Sequence, residues 1–405
     1  MSFPFGSNSI GRNYIILTVG FAGPLTIPKE RWYNSQRQVV YQSMAERTNI
    51  YYWKCDREDA FHGTSDYQKD QSAFLTVVRK TLEERFGGAL TDVVSSCGQG
   101  NHRTFEAVLD GQKVFIRTED GMEKDNYLAV ESAVTNRVAA LGIPVPETMA
   151  FDCSRKQGFA WQVLPFLPYR DLNAYVKDGT IVWTGIAEQI GTGVARWQEI
   201  SVDGFGPFCT AEAMATGGLR TLHPNYESYY RLNLAKHVRF LVDGEFLSER
   251  DACRIMTVIG AHERFLKLAR GVLVHKDLAV WNVLGTESEV KSFIDWDDCI
   301  VGDPMDDLSL MGVTGEDAVT RKIVAAYGRV RDLEGDAGTR FWLCWLRNIL
   351  FKAVIRQGAG YFKKSSDEFF LIGGGRNGAD LAAVTRQKIE KALGALEKGG
   401  GFDVL

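Results

Sequence analysis

The stretch that most constrains this chain is residues 272–310. It reads Val-Leu-Val-His-Lys-Asp-Leu-Ala-Val-Trp-Asn-Val-Leu, a polar turn Gly-Thr-Glu-Ser-Glu, then Val-Lys-Ser-Phe-Ile-Asp-Trp-Asp-Asp, and ends in Gly-Asp-Pro-Met-Asp-Asp-Leu. Residues 283–284 and 290–294 predict short strands around the turn containing Gly285. A hairpin brings its two ends together. Asn282 and Asp295, with twelve residues between them, therefore fall side by side. Asp277 lies five residues before Asn282, on a loop that lets it face the same cavity. His275 closes the apolar strand 272–274.

These residue types suit one kind of chemistry. A carboxylate beside an amide oxygen makes a hard-oxygen site for Mg²⁺, with nucleotide phosphates as further ligands. Asp277 is positioned to accept the proton of a hydroxyl and to aim that hydroxyl at a γ-phosphate. His275 is expected to hold the loop by hydrogen bonds rather than to react. A lone HxD triplet arises by chance. The ordered set HxDxxxxN, hairpin, IDWD and GDPxxDL is far more specific.

The rest of the chain is organised around this insert. Residues 1–70 form an extension, with a strand expected at 14–19 and a polar, aromatic-rich stretch at 31–66 that is expected to pack on the lobe that follows. The apolar run 13–27 follows Arg12 as a leader would, but its β-branched and aromatic residues favour a buried strand. Residues 71–165 predict a small α/β lobe. It has a helix over 74–86, strands at 104–109 and 113–117 joined by the hairpin signal Asp110-Gly111, a helix over 127–141 and a strand at 161–164. Residues 166–405 predict a mainly helical lobe, with helices over 186–200, 226–242, 248–268, 340–356 and 381–396. The fold class is α+β, with two lobes.

The motif set resembles the aminoglycoside phosphotransferase and choline kinase family of small-molecule kinases, which share the protein-kinase-like fold. The likeness covers about residues 72–312. In place of Asp-Phe-Gly stands Ile294-Asp295-Trp296-Asp297, with no Ala-Pro-Glu segment after it, which argues against a protein substrate. The resemblance implies ATP (or GTP) and Mg²⁺ as cofactors. It also implies a phosphate loop at 97–105, where Gly98, Gly100 and Asn101 bring backbone N–H groups to the phosphates. Arg117 takes the place of the phosphate-gripping lysine, with Glu131 (or, less well placed, Glu123) as its helix partner. Leu164 and Phe166 border the adenine, where Pro165 removes one backbone donor.

The acceptor is less constrained. Asp297 and Asp298 either contact an amine-bearing substrate or play a structural part. Asp307 buttresses the catalytic loop, and Trp281 and Trp296 pack beneath it. The helix bearing Trp342, Trp345 and Phe351 either walls the pocket or fills the core. The C-terminal helices hold no evident acidic cluster for a polycation, and Lys276 replaces the small residue common beside the base in this family. Acceptors left open are an amino sugar, nucleoside, amino alcohol or antibiotic. The alternatives are a protein kinase and a non-catalytic nucleotide-binding module.

A net charge of −4 gives no nucleic-acid footprint. Seven dispersed cysteines without CxxC spacing predict reduced thiols, no zinc and a cytoplasmic protein. No apolar run nears the ~20 residues of a membrane span. The expected assembly is a monomer or homodimer.

Overall fold

The structure, a computed structural model, describes residues 46–57, 71–96, 102–121, 124–333, 335–365 and 377–405. The strand expected at 14–19, the apolar run 13–27, Glu123 and the phosphate-loop residues Gly98, Gly100 and Asn101 lie outside them. Ser43–Leu405 is one compact unit.

There are two apolar cores, a smaller one and a larger one that also buries the helix Leu128–Ala140 against the helical lobe. In the smaller, helix Gln71–Phe86 lays Val78 and Leu82 against an antiparallel sheet of β1 (Leu90–Ser95), β2 (Arg103–Leu109), β3 (Gln112–Glu119), β4 (Ala150–Asp152) and β5 (Ala160–Pro165), in the order β1-β2-β3-β5-β4. Alternation sets the register: Phe105 pairs with Ile116, which pairs with Val163, and all three are buried. Asp110 and Gly111 both take positive φ, 50° and 78°, as a two-residue primed turn requires. β1 and β4 carry too little pattern to have been expected.

The larger lobe is helical around three short-stranded pieces. β6 (Arg170–Asp171) joins the hairpin β10 (Val283–Gly285) and β11 (Val290–Phe293). A Cβ at Gly285 would collide with the Glu289 carbonyl, so the turn needs glycine. β7 (Phe205–Phe208) and β8 (Thr221–His223) pair with each other, and β9 (Val272–Val274) and β12 (Ile300–Gly302) likewise, with β7 joined to β12. The strands β6, β7 and β8, outside residues 272–310, correct the expectation of a single β insert. Four helices, Leu172–Asp178, Thr210–Thr216, Asp306–Thr314 and Asp317–Gly328, also go beyond the five expected in this lobe.

The helix expected over 226–242 is two, Tyr226–Arg231 and Leu234–Asp243. Asn233 between them is left-handed, φ 56°. The break frees the Tyr230 and Leu232 carbonyls to accept from the buried Arg347 guanidinium at 2.9 and 2.8 Å. The helix expected over 248–268 stops at Ala261, and a short 3-10 turn follows at Glu263–Leu266.

The segment 47–57 does not simply pack on the smaller lobe, as expected of the extension. It lies mainly on the larger lobe and also reaches the smaller one. Tyr52 stacks on Phe351 with ring centroids 4.2 Å apart, Tyr229 Oη donates to the Tyr51 carbonyl at 2.7 Å, and Asp56 pairs with His237 at 2.9 Å. Arg47 Nε donates to Asp125 at 2.5 Å, and its Nη1 donates to the Asp297 carbonyl at 2.8 Å. The cause is chemical: Tyr51, Tyr52 and Trp53 supply aromatic area that the helical lobe buries.

Candidate active site

The loop between β9 and β10 holds Asp277, and buried polar groups fix it. His275 donates its backbone N–H to Asp307 Oδ2 at 2.9 Å, and Lys276 donates its own to Oδ1 at 3.0 Å. Trp197 Nε1 donates to Oδ2 as well, at 3.2 Å. The His275 ring reaches the Ile294 carbonyl through Nε2 at 2.9 Å and lies 4.4 Å from the Trp296 ring. Both His275 and Trp296 are fully buried, so His275 ties the loop to the hairpin.

Lys276 is left-handed, φ 69°, which costs a non-glycine residue about 1 kcal/mol. Its ammonium is satisfied inside the larger lobe, donating to Asp306 at 2.9 Å, Tyr51 Oη at 3.0 Å and Asn348 Oδ1 at 3.1 Å. The departure at this position is thus a buried ion pair.

Asn282 Nδ2 donates to the Asp277 carbonyl at 2.8 Å and to its Oδ2 at 3.2 Å. Among the described residues nothing donates to Asn282 Oδ1. Ile294 N–H donates to the Asn282 carbonyl at 3.0 Å, so the hairpin does close with Asp295 next to Asn282 in the chain pairing. Asp295 is left-handed, φ 67°, and its side chain is about a third exposed. Burial and the neighbouring Asp297 raise its carboxyl, against Arg117 and Lys54.

Arg117 on β3 meets Glu131 on helix Leu128–Ala140: Nη1 donates to both carboxylate oxygens, at 2.6 and 2.7 Å. Nη2 donates to Asp295 Oδ1 at 3.0 Å and lies 3.7 Å from Asp297. Glu131 also accepts from the Trp296 N–H at 3.1 Å. One arginine thereby joins the smaller lobe's sheet, its helix and the hairpin of the larger lobe. Leu164 is the next-to-last residue of β5, and the Phe166 N–H just beyond the strand donates to the Lys113 carbonyl at 3.2 Å.

Asp297 and Asp298 are both committed to internal cations. Asp297 accepts from His102 at 3.0 Å, and Asp298 faces Arg47 at 3.5 Å. Burial would raise Asp297, but its bond to His102 and the charges of His102, Arg117 and Lys54 hold it well below the carboxylate range. Burial and the Asp297 charge push Asp298 up to about 7. Trp342 and Trp345 are fully buried core residues.

Two residues of the site, Lys54 and Lys352, are not among those expected from sequence. Lys352 Nζ donates to Asp277 Oδ1 at 2.6 Å, and Lys54 Nζ lies 3.5 Å from Oδ2. Burial alone would raise the Asp277 carboxyl; the two ammoniums outweigh it and hold it well below its usual range. One signal for Lys352 exists: Asn348, Lys352 and Arg356 form a polar stripe at i, i+4 and i+8 in the apolar helix Ala337–Gly358. Lys54 has none.

Among the described residues no group of three or more His, Cys, Asp or Glu is arranged to hold a metal ion. The free Asn282 Oδ1 and the half-open Asp295 carboxylate fit a Mg²⁺ whose other ligands come from a nucleotide. No described helix is long and apolar enough to cross a membrane.

Two lobes with an Arg–Glu pair in one and an HxDxxxxN loop and hairpin in the other define a kinase-like phosphotransferase. The model of the phosphotransferase enzyme family matches residues 96–342, and the chain belongs to that family and is a small-molecule phosphotransferase. The fold is similar to that of the aminoglycoside phosphotransferase APH(4)-Ia, at 15% identity and TM-score 0.55 over 80% of this chain and 99% of that one. It is also similar to the macrolide 2'-phosphotransferase MphH of Brachybacterium faecium, at 18% identity and TM-score 0.51 over 77% and 95%. A fructosamine-3-kinase of Haemophilus somnus aligns at 12% identity and TM-score 0.51 over 77% and 96%. No curated protein sequence matches the chain.

Proposed function

We propose that this phosphotransferase moves the γ-phosphate of ATP to a hydroxyl of a small molecule, with Asp277 as the base. The observation that carries this is the buried, ionised Asp277 carboxylate beside Asn282, at the mouth of the hairpin whose far end holds Asp295. The hydroxyl oxygen attacks the γ-phosphorus, the bond to the ADP oxygen breaks, and the hydroxyl proton passes to an Asp277 oxygen. A carboxylate held so acidic is a weak base. Its main work is to orient the hydroxyl, taking the proton late, as a loose phosphoryl transition state permits.

Asn282 Oδ1 and Asp295 would hold Mg²⁺, which when bound neutralises phosphate charge. Glu131 keeps Arg117 facing the cleft beside Asp295, where its guanidinium can meet the nucleotide phosphates. Gly98, Gly100 and Asn101 would give backbone donors to the phosphates, and Leu164 and Phe166 would border the adenine. His275 positions the loop.

The test is a hydroxyl-compound library incubated with ATP and Mg²⁺ and read by mass spectrometry for an added phosphate. Turnover is expected with the wild type, falling about 10²–10⁴-fold in Asp277→Asn while nucleotide affinity stays. A variant as active as the wild type would remove Asp277 from this role.

A further inference from the structure

Among the described residues, cations rather than acids line the side of Asp277 away from Asn282. Lys352 contacts one carboxylate oxygen at 2.6 Å and Lys54 lies 3.5 Å from the other. The rings of Tyr52, Phe351 and Trp281 surround the Lys352 ammonium, their centroids 5.3, 5.3 and 5.9 Å away. The Tyr52 hydroxyl, on a residue only 2% exposed, meets no partner in good hydrogen-bond geometry among the described residues. Its neighbour is the Asp277 carboxylate, which acts on it both as a charge and as a loosely placed hydrogen-bond acceptor. A buried hydroxyl beside the Lys352 ammonium, whose near acceptor is the base itself, can donate to an incoming anion. The nearby acids are engaged: Asp297 with His102, Asp298 and Asp125 with Arg47, Glu131 with Arg117.

Resting on the kinase reading above, we propose that the acceptor carries an anionic group, a carboxylate or phosphate, near the hydroxyl that is phosphorylated, and that Lys54, Lys352 and the Tyr52 hydroxyl bind it. To reach Asp277, an acceptor must draw an ammonium away from the carboxylate. An anion does so by exchanging one ion pair for another. A polycation would set like charges together and find no free acid among the described residues in return.

The test uses the full chain saturated with MgADP. The probes are inorganic phosphate and 6-phosphogluconate as anions, glucitol as neutral and glucosamine as cation, with binding followed by calorimetry. At least one anion is expected to bind more tightly than glucitol and glucosamine. Lys54→Met and Lys352→Met should each weaken it about tenfold or more, the worth of one charge-assisted hydrogen bond, with ADP affinity changed less than about twofold. Lys54, a third exposed, tolerates substitution if Lys352→Met does not fold. Tighter glucosamine binding, no binding of either anion, or lysine variants that keep anion affinity would overturn the proposal. Intact MgADP binding with any of these results sinks only this inference. Loss of nucleotide binding by the wild type sinks the kinase reading itself.

Discussion

Lys352 Nζ donates to Asp277 Oδ1 at 2.6 Å, from a helix that begins sixty residues after the loop it serves. This pair governs the protonation of the proposed base. Burial favours the neutral acid; Lys352 is the largest opposing influence and Lys54 the next. With both in place Asp277 stays ionised throughout the neutral range, so the wild-type pH–rate profile should show no acid limb from it near neutrality. In Lys352→Met, burial acts against Lys54 alone. The carboxyl rises, and the acid limb of kcat/KM should move to higher pH. A limb that does not move would mean that Lys352 does not set this ionisation.

Arg117 makes three short contacts in a fixed fork, two to Glu131 and one to Asp295. A lysine has the charge but cannot span both carboxylates. Arg117→Lys should therefore lower stability by about 1–3 kcal/mol, since at least one buried charge-assisted bond is lost, and raise KM for MgATP about tenfold or more, the worth of one such bond. Urea unfolding and steady-state kinetics check both. Unchanged values would reduce the fork to a chance alignment.

Asp307 accepts three donors, from the His275 and Lys276 backbones and from Trp197 Nε1. The backbone bonds hold Lys276 in its left-handed conformation and so aim Asp277. Asp307→Asn keeps the shape but turns an amide N–H₂ toward at least one donor. A loss of about 2–3 kcal/mol follows, together with a lower kcat at unchanged nucleotide affinity. Equal losses of kcat and nucleotide binding would point to general unfolding instead.

What is readable in the sequence is what short chain segments decide. The Asp110-Gly111 turn, the hairpin from Asn282 to Asp295 and the Arg117–Glu131 pair each close within fourteen residues. The three- and four-residue strands β7, β8 and β12 leave no room for alternation, so no pattern marks them. The broken helix at Asn233 depends on Arg347, over a hundred residues onward. Lys54 reaches Asp277 across 223 residues, and no local pattern encodes that meeting. Asp297 and Asp298 stand out in the sequence because they adjoin Asp295 of the proposed metal pair. Their partners Arg47 and His102 come from distant elements, so their engagement has no local signal.

Asp303, in the Gly-Asp-Pro turn, gives a test in which pH enters with a definite sign. It is buried, accepts from the Met305 N–H at 2.9 Å and lies 3.6 Å from Arg340. Burial pushes its carboxyl up to about 6, against Arg340, from about 3.9 in an unfolded chain. Between those values the folded state binds more protons than the unfolded one. Stability from this group therefore falls as pH rises through the window and is level above it. In Asp303→Asn the amide cannot titrate, and its oxygen can still accept from Met305. The stability of this variant relative to wild type should thus increase by about 2 kcal/mol between pH 4.5 and 7, taking about 1.36 kcal/mol per pH unit over the titrating range. Urea unfolding at the two pH values measures the difference, and all other groups cancel between the two proteins. A difference independent of pH would mean that Arg340 keeps Asp303 ionised across the window.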